Sequence, residues 1–225
     1  MANLGPKLME ELQCENVFSI GGIGISESVV VTWIIMAVFL LAAILLTRNL
    51  KVENPGRGQL MLEYIVTWLQ GIGEGIIGEE EKGYASYLTS ILIYLGVANL
   101  IGMLGFKPPT KDLNVTAALA LMSIILIEYA GIHKKGFRGW LKSFTQPIAI
   151  VTPINILEVF VKPLSLCMRL FGNVLGAFVI MKLIECILPV GLPVIFSAYF
   201  DVFDGLIQAY VFVFLTGLFI KEAIE

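Results

Sequence analysis

The sequence predicts an all-α integral membrane protein with about five membrane-embedded helices and one amphipathic surface helix, the last two membrane helices being long and tilted as a hairpin. Three observations carry this. The chain of 225 residues is 57% hydrophobic and only 15% charged, with a mean hydropathy of +0.87, whereas about a quarter of the residues in a soluble domain are charged. Its apolar residues fall into long runs without a charge, the pattern of membrane-spanning helices. Lysine and arginine collect in two of the connections between those runs, as the positive-inside rule requires of cytoplasmic loops.

The elements follow in order. Residues 1–28 carry Lys7 against Glu10, Glu11, Glu15 and Glu27, so this tail is expected to be exported, with no cleaved signal segment before the first apolar run. Val29 to Leu46 contains no charge and has Trp33 near its start, which predicts a first transmembrane helix over 29–47. Arg48, Lys51 and Arg57 follow, and Asn54-Pro-Gly-Arg-Gly breaks the chain. Over 59–78, Leu62, Ile65, Val66 and Leu69 recur at helical spacing among Glu63, Gln70 and Glu74. That is an amphipathic helix lying along the membrane surface, closed by a solvated run at Glu79-Glu80-Glu81.

Residues 84–132 read as a transmembrane hairpin, Tyr84 to Phe106 and Leu113 to Ile132, turned by the paired prolines of Lys107-Pro-Pro-Thr-Lys-Asp112. His133 to Lys142 carries four basic residues and no acid, predicting a second cytoplasmic loop in which His133 is a surface residue. Residues 154–220 form the long hairpin. Its first arm, Ile154 to Leu188, spans about 50 Å at helical rise, more than the ~30 Å hydrocarbon core needs, so tilt or a bend at Pro163 is expected. Leu188-Pro-Val-Gly-Leu-Pro193 turns the chain, and the second arm returns it to a cytoplasmic C-terminus.

Composition also excludes. A net charge of −3 and a pI near 5.3 give no nucleic-acid footprint, and no Gly-rich phosphate loop or Cys/His metal spacing is present. No cofactor or metal is expected. The three cysteines have no C-x-x-C spacing, and Cys167 and Cys186 on one helix lie ~28 Å apart at 1.5 Å per residue, so all three are read as free.

The first arm holds one charge between Lys162 and Lys182, Arg169. A guanidinium stays charged at any accessible pH, and burying it in the membrane costs at least ~2.5–3.5 kcal/mol on insertion scales. Ser165, Arg169 and Asn173 are spaced four apart on one helical face, with Gly172 and Gly176 beside them. Small residues at this spacing also suit close helix packing. On the second arm, Asp201, Asp204, Gly205 and Gln208 share a face. Two such stripes set opposite each other make a polar seam, better suited to ions than to organic solutes because it lacks an aromatic-lined pocket. Glu185 is a further candidate carboxylate, although it is equally spaced for an ion pair with Lys182, and Glu158 and Lys162 are spaced for another. A secondary transporter is the alternative from another class, but its expected internal repetition is not seen between the halves.

Lys162-Pro-Leu-Ser-Leu-Cys-Met-Arg169-Leu-Phe-Gly-Asn173 resembles the signature of subunit a of the bacterial F-type ATP synthase. Pro108-Pro-Thr-Lys-Asp-Leu-Asn114, Pro153-Ile-Asn-Ile-Leu-Glu158 and Leu206-Ile-Gln208-Ala-Tyr-Val-Phe-Val-Phe-Leu215 resemble further segments of that family, in the same order. The resemblance implies a stator ion channel in a bacterial inner membrane, its last two helices set against a rotor ring of c subunits, with b subunits forming a peripheral stalk. It implies no catalysis by this chain, since ATP chemistry belongs to a separate head. It implies that Arg169 separates two half-channels through which H+ or Na+ reaches the ring's carboxylates, with Gln208 and Asn173 beside it. Nine residues after the arginine, where the family often has a glutamate, this chain has Phe178. Asp201, with Asp204 and Glu185, is expected to supply the missing entry carboxylate.

Overall fold

The computed structural model describes residues 16–20, 23–48, 50–51, 56–78, 82–104, 107–145, 149–187, 196 and 198–224. Two short strands, β1 (Asn16–Ile20) and β2 (Ile23–Ser26), pair antiparallel and lead directly into the first helix. Among the described residues six α-helices follow: α1 (Glu27–Thr47), α2 (Arg57–Ile77), α3 (Lys82–Leu100), α4 (Leu113–Ser143), α5 (Thr152–Ile187) and α6 (Gly205–Ile224). Beyond the small strand pair the fold is all-α, as expected. The turn expected at 188–193, the acidic run 79–81 and the first two residues of the break at 54–58 lie outside the described residues.

Among the described residues four segments are long and apolar enough to cross a membrane: Glu27–Thr47, Leu113–Ser143, Thr152–Ile184 and Val202–Ile224. The fifth embedded helix, α3, is more polar and more enclosed. Its Leu88, Leu95 and Ala98 are fully buried, so neighbouring protein rather than lipid meets most of its surface. Ser28, Val31 and Ile35 of α1 are buried near its start, where Val31 and Ile35 cluster with Ala98. Most of the second half of α1 is exposed, Leu45 by 70%.

Helix α2 is amphipathic along its first two-thirds, with Met61, Tyr64 and Trp68 exposed. Its last turn is not a surface element, because Gly73, Ile76 and Ile77 are buried. The close approach depends on glycines. A Cβ on Gly73 would come within 2.8 Å of the Ala85 carbonyl oxygen, and one on Gly217 of α6 would collide with Ile76 Cγ2 and reach 3.0 Å from Leu88 Cδ1.

The basic stretch after Ile132, read from the sequence as a loop, is helical instead. α4 continues to Ser143 with a break at Gly136, whose φ of 72° glycine adopts without strain. That break lets the indole Nε1 of Trp140 donate to Glu128 Oε2 at 2.7 Å. His133 is exposed on this helix and stacks on Tyr129.

Helix α5 has 36 residues, about 54 Å at 1.5 Å per residue, and runs unbroken through Pro163. One side of it packs on α4, burying Leu166, Cys167 and Leu170. Helix α6 packs mainly on α3 and α4, burying Ala209, Phe212, Val213, Thr216 and Ile220. The two arms therefore lean on α4 more than on each other.

Candidate functional site

Where α5 and α6 do meet, the contact is polar. Asn173 Nδ2 donates to Gln208 Oε1 at 2.6 Å, which joins the two stripes read from the sequence. Gln208 is only 4% exposed, and its Nε2 has no hydrogen-bond partner among the described residues. A buried amide with an unused donor is a costly arrangement, so the site holds hydrogen-bonding capacity beyond what the described residues consume.

Arg169 lies one turn before Asn173 on the same helix. Arg169, Ser165, Gly172 and Asn173 are all exposed. Among the described residues Arg169 has no ion-pair or hydrogen-bond partner, and a Cβ added at Gly172 or Gly176 would meet nothing within 4 Å. The guanidinium therefore faces outward from the bundle, across an open, narrow strip.

The second stripe is divided. Gly205 and Gln208 are buried in α6, but Asp201 and Asp204 belong to a π-helical segment, Ala198–Asp204, that precedes it. A π-helix turns less per residue than an α-helix, closing its bonds from i to i+5. Regular α-helical spacing therefore does not extend through all four positions. Asp204 is half-buried, while the side chains of Asp201 and Glu185 lie outside the described residues.

A second polar group at the same end of the bundle was not anticipated. Thr110 Oγ1 donates to Asn99 Oδ1 at 2.8 Å, and Asn99 Nδ2 donates to the Gly205 carbonyl at 2.8 Å. Asp112, 2% exposed, accepts from Ser26 Oγ at 2.8 Å and from the Asn114 backbone N–H at 2.9 Å, capping α4. Lys107 pairs with Glu27 at 3.0 Å. Asn99 and Thr110 are buried at 5% and 0%, so a strip of polar groups runs inside the protein from the loop before α4 to the start of α6, one turn from Gln208. Asn99, a lone amide in an otherwise apolar run, was the available signal.

At the opposite end, Lys162 Nζ bridges the arms, 3.5 Å from Glu158 on α5 and 3.0 Å from Glu222 on α6. The Glu158–Lys162 pair expected from i,i+4 spacing is thus present, with a third member added.

The profile of the ATP synthase A chain family matches residues 29–221. The chain belongs to that family. It is 38% identical over 218 residues to ATP synthase subunit a of Moorella thermoacetica, covering 96% of this chain and 99% of the relative. It is 37% identical over 209 residues to ATP synthase subunit a 2 of a Bradyrhizobium species, covering 92% and 93% of the two chains. Against ATP synthase subunit a 2 of Acaryochloris marina the identity is 32% over 205 residues, covering 90% and 87%. Subunit a is the non-catalytic stator component of the membrane sector of the F-type ATP synthase, and the multi-pass helical fold agrees with membership.

Proposed function

We propose that this chain conducts H+ or Na+ through two half-channels to and from the carboxylates of a c-subunit ring, with Arg169 keeping the two paths apart. The outward-facing guanidinium carries this reading. A charge that points away from its own bundle, in a helix long enough to cross the membrane, needs a counter-charge from a neighbour. Rotor carboxylates passing in turn would supply it. Leu164 and Met168, 60% and 50% exposed beside Arg169, give the passing helices an apolar track.

Asn173 and Gln208 hold the arms in register at the level of the arginine and offer amides that order water or an ion. The buried strip of Asn99, Thr110 and Asp112 supports an access path at the end where α5 finishes, with Asp201, Asp204 and Glu185 as candidate entry carboxylates and Ser165 on the opposite flank of Arg169. By the distribution of lysine and arginine, that end faces outward, as does the N-terminus, and the C-terminus lies in the cytoplasm of a bacterial inner membrane.

Arg169→Ala tests the reading. ATP-driven ion uptake into inverted vesicles is expected to vanish, while ATP hydrolysis by the released catalytic head persists. Coupled uptake at wild-type rates in that variant refutes the assigned role.

A further inference from the structure

Helix α4 bends sharply after its membrane-crossing part. Gly136 breaks its course, and the segment that follows folds back: Trp140 Nε1 donates to Glu128 Oε2 at 2.7 Å, and Trp140 Cδ1 lies 3.4 Å from where a Cβ on Gly131 would stand. Glu128 and Gly131 stand roughly 22 and 27 Å along the helix from Leu113 at 1.5 Å per residue, within the reach of a ~30 Å hydrocarbon core. The indole therefore holds residues 137–143 at the level where acyl chains give way to headgroups. By helical spacing Phe137, Trp140, Leu141 and Phe144 fall on one side of this segment, with Arg138 and Lys142 on the adjoining side. Trp140 is half-buried, its ring 5.9 Å from Phe137 and 4.9 Å from Phe144, but Phe137 and Leu141 are 64% and 57% exposed. Arg138 and Lys142 are exposed too, and a Cβ on Gly139 would lie 3.2 Å from Lys135 Cβ, which brings Lys135 close to them. Among the described residues no carboxylate lies within ion-pair distance of Lys135, Arg138 or Lys142.

We propose that the segment after Gly136 is a lipid-binding element, in which Phe137 and Leu141 enter the acyl-chain boundary while Lys135, Arg138 and Lys142 bind the phosphate of an anionic phospholipid. Apolar side chains this exposed gain by leaving water, and at this depth the leaflet is what they meet. The basic groups on the adjoining side then reach the headgroup layer, where lysine and arginine are attracted to anionic lipid. Arginine suits a phosphate especially, because its planar fork donates two parallel hydrogen bonds. Tyr129, next to Glu128 and 58% exposed, stands at the same level, as tyrosines of membrane interfaces do. The element requires only that α4 crosses the membrane, and it stands or falls independently of the role given to Arg169.

Photo-crosslinking in the assembled complex tests this, with benzoylphenylalanine in place of Phe137. The complex is reconstituted in vesicles holding phosphatidylcholine and phosphatidylglycerol in equal amounts, with one of the two lipids radiolabelled in each preparation. Light-dependent label on this chain is expected from both, roughly threefold more from phosphatidylglycerol. Combining Lys135→Gln, Arg138→Gln and Lys142→Gln should bring the two yields to about equality, and Arg138→Lys with Lys142→Arg should preserve the preference. High salt on the otherwise unaltered chain should lower the preference in the same direction, which keeps the test open should the triple variant assemble poorly. Equal yields from the two lipids before any charge is removed overturn the proposal. So does a preference untouched by both the triple variant and salt. An adduct with another protein subunit in place of lipid, or no adduct in a complex that co-isolates with its ring, overturns it as well, since the side chain then meets protein or water.

Discussion

The two faces of α5 are built by different rules. Leu166 and Leu170, four apart, are 2% and 0% exposed against α4, with Cys167 beside them at 7% and its sulfur 3.7 Å from Thr116 Oγ1. A few atoms around the helix, Leu164, Met168 and Arg169 point away from the bundle. The inner face is complete, with its apolar atoms packed and its one polar contact satisfied. The outer face is complete only for a helix that will be met by something else. Apolar side chains there suit either lipid or protein, but a guanidinium without a partner suits neither until a carboxylate arrives. On the proposed reading, stability resides on one side of this helix and function on the other, and substitutions should separate them.

The largest effect is expected from Arg169→Ala. It should bring coupled ion transport to background while the chain continues to assemble with its partners, since no described residue of the bundle depends on the guanidinium. Leu170→Ala should do the reverse. Truncating a fully buried leucine costs roughly 2–5 kcal/mol, so the expected outcome is a complex that assembles poorly and that transports in proportion to the amount assembled. Measuring ring co-isolation and transport on the same membranes tests the division. Loss of assembly in Arg169→Ala, or normal assembly with no transport in Leu170→Ala, would break it.

Gln208→Leu probes the point where the faces meet. Its amide oxygen accepts from Asn173 at 2.6 Å, and the exchange leaves that donor without its partner. A roughly tenfold slower transport is expected, equivalent to about 1.4 kcal/mol. Combining it with Asn173→Ala should add little, because the two side chains act through one contact. Strictly additive losses would show that each contributes to the path separately.

These regions were not equally legible in the sequence. Arg169 stood out because a charge in an apolar run is a one-dimensional signal, and the approach of Asn173 to Gln208 follows from helical spacing once two arms are drawn side by side. The polar strip was harder to see. Asn99 and Gly205 are 106 positions apart, and Lys107-Pro-Pro-Thr-Lys-Asp112 reads as a rigid turn until the fold carries Thr110 under α3 and Lys111 onto Phe178. The π-helical turn at Ala198–Asp204 was invisible for another reason. No residue type demands it, since a change of helical phase is settled by how Gly205 packs on Asn99, with only 3.0 Å between an added Cβ and the Asn99 Cβ. The continuation of α4 past Ile132 depended likewise on a single positive φ at Gly136.

Away from α5, the inner-face rule is sharpened by Gly217→Ala. The added methyl collides with Ile76, and overpacking of this kind typically costs 1–3 kcal/mol, about as much as the contact at Gln208. Reduced thermal stability of the solubilised complex is expected, with transport per assembled complex unchanged. Ile76→Ala in the same chain should restore part of the loss by making room. Failure of that rescue would place the constraint in the backbone of α6 rather than in the meeting of two side chains.

The smallest effect belongs to the charges at the far end of the arms. Lys162 touches both Glu158 and Glu222, but the carboxylate side chains are 48% and 58% exposed. Pairs this wet contribute about 0.2–1 kcal/mol, and their attraction falls off further with salt. Glu222→Gln removes the 3.0 Å partner yet leaves Glu158 at 3.5 Å to hold the ammonium. A shift in melting temperature at the edge of detection is therefore expected, vanishing at high ionic strength. Lys162→Met should cost more than Glu222→Gln, since it leaves two carboxylates facing each other and withdraws the cation from the Phe219 ring 5.1 Å away. If Glu222→Gln instead abolishes transport with assembly intact, this end of the hairpin is a functional charge site like the outer face of α5, not a solvated clasp, and the division drawn along that helix would have to extend to its tip.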